Sequence, residues 1–184
     1  MVDRREFIVA VAGGLLAETD EVGAQLTTKP YRIGMLNAGA EASTLLVELP
    51  NALRELGWSE GRMFVVERRF ADNRTDRLPE LAAELVQLNV DVIVTSGTLP
   101  ALAAKRATST IPIVMFAAGD PLGSGIVSNL ARPGGNITGT SLNSTELVGK
   151  RLQLLKELVP GIASVAVLWN EANPYSARVF AETQ

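Results

Sequence analysis

Two short strings hold most of the side chains in this sequence that could do chemistry. Ser96-Gly97-Thr98 breaks the apolar run Val92-Ile93-Val94 just before a segment of helix formers, Ala101 to Ala107. Ala118-Gly119-Asp120 ends a second apolar run, Ile111 to Phe116. A strand end followed by a helix start leaves backbone N–H groups free, and with the helix dipole they favour an anion such as a carboxylate. Ser96, Gly97 and Thr98 therefore either receive an anionic group or simply cap the helix. Asp120 either meets a ligand ammonium or shapes a turn ahead of Pro121. Asn37, at the end of the first apolar run, poses the same choice. Trp169 and Asn170 end the last run and offer a stacking surface and an amide, or packing.

Catalytic templates fit poorly. Histidine and cysteine are both absent, which removes imidazole bases, thiol nucleophiles, disulfides and the usual Cys/His zinc sites. There is no phosphate-binding P-loop and no G-x-S-x-G elbow. Gly123-Ser124-Gly125-Ile126-Val127-Ser128 lacks the last glycine of a dinucleotide fingerprint and reads as a turn. Asp120 and Glu41 form a possible acid–base pair with no third group to orient them. No cofactor is implied, and binding suits these residues better than catalysis.

The elements that must position these loops alternate along the chain. Val92–Val94 and Ile111–Phe116 are short, β-branched and apolar, and a helix with Pro100 in its first turn joins them. This βαβ unit is expected to lie in a parallel sheet covered on both faces, where ligands sit beyond the carboxyl ends of the strands. Before it come a strand over Tyr31–Leu36, a helix from about Ser43 to Leu56 and a polar strand over Met63–Phe70. The helix carries Leu45, Leu46, Leu49, Leu53 and Leu56 on one side and Gly57 as its stop. Pro50 either kinks that helix or restarts it. The polar strand suits a sheet edge. Thr75 is expected to cap an amphipathic helix with Leu78, Leu81, Ala82, Leu85 and Leu88 buried. After the unit, the pattern predicts a short helical piece near Ile126–Leu130 and a strand over Ile137–Leu142. A helix over Ser144–Val159, a strand over Val165–Trp169 and a helix from about Pro174 complete it. The fold class is α/β, a doubly wound parallel sheet.

The 184 residues are 47% hydrophobic and 20% charged, an ordinary globular balance. A formal net charge of −3 leaves no footprint for nucleic acid. Asp3-Arg4-Arg5-Glu6-Phe7-Ile8 is a twin-arginine pattern, followed by an apolar run to Ala17 too short to span a bilayer. Val22-Gly23-Ala24 suits cleavage before Gln25. Residues 1–24 thus read as an export signal, 25–142 as an N-terminal α/β lobe and 143–184 as the beginning of a second lobe.

Several strings also resemble a known family. They include Arg4-Arg5-Glu6-Phe7-Ile8, Leu53-Arg54-Glu55-Leu56-Gly57-Trp58, Val90-Asp91-Val92-Ile93-Val94, Gly119-Asp120-Pro121 and Gly149-Lys150-Arg151-Leu152. The most specific is Leu130-Ala131-Arg132-Pro133-Gly134-Gly135-Asn136-Ile137-Thr138-Gly139. Collinear along the chain, they resemble the ABC-transporter substrate-binding proteins with a type I periplasmic-binding-protein fold, whose better-known members bind aromatic amino acids. The resemblance implies a periplasmic solute-binding component, not an enzyme. It would capture an amino acid or small carboxylate between two lobes and deliver it to a membrane permease. It places Asn37, Ser96, Gly97, Thr98, Ala118, Gly119 and Asp120 on the first lobe's side of the cleft and Asn170 on the second's. It also implies a complete first lobe and a partial second one, and a half-cleft is expected to hold its ligand weakly. An intracellular α/β enzyme and a ligand-sensing module of a regulator are the alternatives at this point.

Overall fold

A computed structural model describes residues 29–40, 48–142 and 145–184. The export signal, Glu41, Leu45 and Leu46 lie outside the described residues. Five parallel strands form one sheet: β1 (Tyr31–Asn37), β2 (Phe64–Phe70), β3 (Val92–Ser96), β4 (Ile113–Gly119) and β5 (Ile137–Leu142). Their order is β2-β1-β3-β4-β5. The chain therefore winds outward from β1 first to one side and then to the other, and the order reverses between β1 and β3. The polar strand β2 is at the edge. It places Arg68 near Glu60 and Arg69 against Glu84, so that charge rather than a further strand lines its flank.

Helices α1 (Leu49–Glu55), α2 (Leu78–Gln87), α3 (Thr98–Ala107), α4 (Val148–Leu158) and α5 (Pro174–Ala181) complete the described elements. Pro50 sits in the first turn of α1, where no intrahelical N–H is missed, so it starts the helix instead of kinking it. Gly57, at φ +88°, ends α1: its N–H bonds to the Arg54 carbonyl and that of Trp58 to the Leu53 carbonyl. This is the double C-terminal closure that a left-handed glycine allows. The expected leucine stripe is less buried than its pattern implies, with Leu56 75% exposed.

The core lies between the sheet and α2 with α3. Leu78, Leu81, Ala82 and Leu85 of α2 meet Ala101, Ala103 and Ala104 of α3 over Leu36, Ile93, Ile113 and Met115. Gly34 is part of this fit, because a Cβ there would stand 3.1 Å from a Leu85 methyl. Thr75 does not cap α2. It opens a 3₁₀ turn, Thr75–Arg77, that leads into the helix without a side-chain cap. Burial alternates along β3 and β4, contrary to the expectation that both faces are covered alike. Ile93, Thr95, Ile113 and Met115 are sealed under the helices, while Val92, Val94 and Val114 are half-buried and Phe116 is exposed.

Two further expectations are corrected. Residues 126–130 are irregular, with bends, rather than helix, although Ile126 and Val127 are buried. Val165–Trp169 is not a strand: the segment has no regular structure and is exposed, with Leu168 wholly so. A β-run gains its stability from neighbours on the ladder, and no described strand lies beside it. Trp169 instead stacks on Phe180 of α5, with ring centroids 4.7 Å apart and planes 3° from parallel. No helix among the described residues is long and apolar enough to cross a membrane.

Candidate functional site

Because all five strands run the same way, the loops after them emerge along one edge of the sheet. The reversal of strand order between β1 and β3 opens a crevice there, the usual ligand position in such sheets. A groove of about 330 Å³ occupies it. Its lining comes from Ala38 after β1, Asn73 and Thr75 after β2, Ser96 to Pro100 after β3, and Asn170 and Asn173 from the segment leading into α5.

The β3 loop supplies donors. Gly97 is the N-cap of α3 at φ +86°, ψ 176°, a conformation that costs glycine little and other residues more. The first-turn N–H groups of Thr98 and Leu99 have no intrahelical partner. Across the groove, Asn170 and Asn173 each spend their Oδ1 locally, on the N–H of Ala172 at 3.0 Å and of Tyr175 at 3.1 Å. Their Nδ2 groups have no partner among the described residues. A wall of backbone N–H groups facing two side-chain amides suits a carboxylate or another polar anion.

The expected residues divide between this groove and its surroundings. Ser96, Gly97, Thr98 and Asn170 line it together. Thr98 does so through its backbone alone, since its hydroxyl turns into the sheet end, accepting from the Gly119 N–H at 3.0 Å and donating to the Gly119 carbonyl at 3.3 Å. Asn37 is almost fully buried, with its Oδ1 taking the Gly39 N–H at 2.7 Å, so it shapes the loop and leaves the lining to Ala38. Ala118 and Gly119 are buried as well. A Cβ on Gly119 would lie 2.3 Å from the Tyr175 ring, which shows how closely α5 covers this strand end. Asp120 takes up the turn role: its Oδ1 accepts from the Gly123 N–H at 2.9 Å. Its other oxygen pairs with Arg178 Nε at 2.7 Å, in place of the expected ligand ammonium. Trp169 is absent from the lining and stacks on Phe180 instead.

Asn73, Thr75 and Asn173 are lining residues that the sequence reading missed. The signal was available: Asp72-Asn73 follows the end of β2, and both residues have positive φ, at 51° and 65°. Asn173-Pro174 is a helix-start pair. The same rule that singled out the loops after β3 and β4 applies to every parallel strand. Among the described residues no three acidic side chains gather as a metal ion would require.

A model of the family described as ABC transporter substrate binding protein matches residues 42–183. A tyrosine-binding protein of Clostridioides difficile (strain R20291) is 34% identical over 119 residues, covering 65% of this chain and 34% of that protein. Among solved structures, a conserved domain protein from Vibrio cholerae superposes with a TM-score of 0.75 at 27% identity, over 84% of this chain and 52% of that one. A ligand-free, open substrate-binding protein with adhesive properties from Clostridium difficile gives 0.62 at 27% identity, over 83% and 52%. An ABC domain from Streptococcus pneumonia in complex with L-Trp shares the fold, with a TM-score of 0.72 at 24% identity over 84% and 52%. This chain thus spans about half the length of these solved structures and about a third of the curated relative. With most of its residues inside the matched region, and a parallel lobe shared with those structures, the chain belongs to the ABC transporter substrate-binding protein family.

Proposed function

We propose that this chain supplies the first lobe, and the beginning of the second, of an exported solute-binding component. It captures an amino-acid-like molecule at the strand ends and delivers it to a membrane permease, and its role is binding rather than catalysis. The observation that carries this reading is the 330 Å³ groove at the β1/β3 reversal, with donors from the β3 loop on one side and Asn170 and Asn173 on the other. The ligand's carboxylate lies against the first turn of α3 and the two asparagine amides. The name of the tyrosine-binding relative supports an amino acid as ligand. The family supports a membrane permease as partner, and the family together with the twin-arginine pattern supports a periplasmic address.

Thermal unfolding in the presence of millimolar L-tyrosine, L-tryptophan, other amino acids and small carboxylates tests the proposal. A ligand that binds only the folded chain raises its midpoint by mass action. At least one amino acid is expected to do so, and Gly97→Val, which strains the β3 loop at φ +86°, is expected to abolish the shift. A panel without any response from the folded chain overturns the amino-acid reading.

A further inference from the structure

The run Ser164-Val165-Ala166-Val167-Leu168-Trp169 has the composition of a strand, yet every residue in it is exposed, Leu168 wholly so. Among the described residues, no backbone N–H or carbonyl group from Ala163 to Trp169 has a backbone partner. Six consecutive residues without a charge, a proline or a glycine also lack the devices that blunt a free strand edge. We propose that this run is an interface between two copies of the chain, paired as antiparallel strands about a twofold axis at Val167.

The side chains favour a second copy of the same run as the occupant. Antiparallel pairing centred on Val167 sets Val165 opposite Trp169 and Ala166 opposite Leu168, so each large side chain meets a smaller one. Val165, Val167 and Trp169 fall on one face, because side chains alternate along a strand. Cross-strand pairs of aromatic and β-branched residues stabilise such a ladder. Just past the run, Glu171 falls opposite Ala163. Parallel pairing in register would instead set Glu171 against Glu171, and like charges directly opposite are destabilising. The twofold arrangement uses the same patch on both copies and closes on itself.

The area sets the strength. From the exposure of its residues the run offers roughly 500 Å² per copy, so a pair covers at most about 1,000 Å², the low end for a specific interface. A weak dimer that forms and dissociates with concentration is expected.

Sedimentation velocity of the full chain, from micromolar to near-millimolar concentration, tests the proposal. A reversible monomer–dimer equilibrium is expected. Val167→Lys sets two ammonium groups face to face on the axis and is expected to weaken dimerisation at least tenfold, with an unchanged circular dichroism spectrum. The chain has no cysteine, so single introduced thiols report the register. Under mild oxidation Val167→Cys is expected to cross-link at least tenfold faster than Val165→Cys or Leu168→Cys. A chain that stays monomeric at every concentration overturns the proposal, and this is the outcome if a different protein covers the run. Unchanged dimerisation of Val167→Lys, cross-linking strongest away from residue 167, or open-ended oligomers also overturn it.

Discussion

The Thr98 hydroxyl both accepts from the Gly119 N–H, at 3.0 Å, and donates to the Gly119 carbonyl, at 3.3 Å. One side chain at the start of α3 thereby ties down the end of β4, where the ladder with β5 is already irregular. The register shifts between Met115 and Ala118, and Ala117 adopts φ +52°. The hydroxyl thus bonds β4 just past this irregularity and holds the loops after β3 and β4 side by side.

Thr98→Val keeps the side chain's shape and leaves the Gly119 N–H unpaired in a buried place, while the Gly119 carbonyl keeps the Ser124 hydroxyl at 3.1 Å. Such groups cost about 1–3 kcal/mol each time they are stranded, so the variant is expected to lose about 2 kcal/mol of stability. Thr98→Ser keeps the hydroxyl and loses a methyl, which amounts to about 0.8 kcal/mol. Urea unfolding of both variants decides the matter. Equal losses would show that the hydroxyl does not hold the strand end.

Gly139 lies in β5 at φ +144°, and a Cβ there would stand 1.8 Å from the Met115 carbonyl oxygen. That atom is backbone in the neighbouring strand and cannot swing aside. Gly139→Ala is therefore expected to cost at least about 3 kcal/mol, the upper range for single substitutions. A thermal midpoint within a few degrees of the parent would refute the close β4–β5 approach. Gly57→Ala serves as the comparison, since it shares a positive φ but has open space around its Cβ; a penalty of about 1 kcal/mol is expected there.

Asn170→Ala removes one amide donor from the groove at the β3 loop. The side chain is exposed, so stability is expected to change by less than about 0.5 kcal/mol. Loss of one hydrogen bond to a charged group is worth about 1.5–3 kcal/mol. A drop of at least about tenfold in affinity for the amino acid found by the panel is therefore expected in isothermal titration. An unchanged affinity would remove Asn170 from the site.

Arg69 Nε and Glu84 meet at 2.5 Å between β2 and α2. Despite the short contact, Glu84 is 41% exposed, and water screens the pair. Glu84→Gln is expected to cost less than about 1 kcal/mol, and the difference from the parent is expected to shrink in 1 M salt. A loss above about 2 kcal/mol, insensitive to salt, would show that the pair behaves as a buried one.

The sequence alone determined the ladder of elements and the edge on which function sits. Short β-branched runs, the leucine spacing of α2 and the glycine stop after α1 are local signals, because backbone geometry and side-chain period are set by near neighbours. Parallel strands then fix that every loop after a strand shares one edge, which is why Ser96, Gly97 and Thr98 were legible as a group. What each loop residue does there was decided by partners distant in sequence. Asn37 and Thr98 turn inward to the backbone, Gly119 lies beneath Tyr175, and Asp120 is claimed by Arg178. The run Val165–Trp169 carries every local mark of a strand and is none, because a ladder needs a neighbour. A hydrogen bond or an ion pair goes to whichever group the fold brings within reach, and no spacing along the chain encodes that choice.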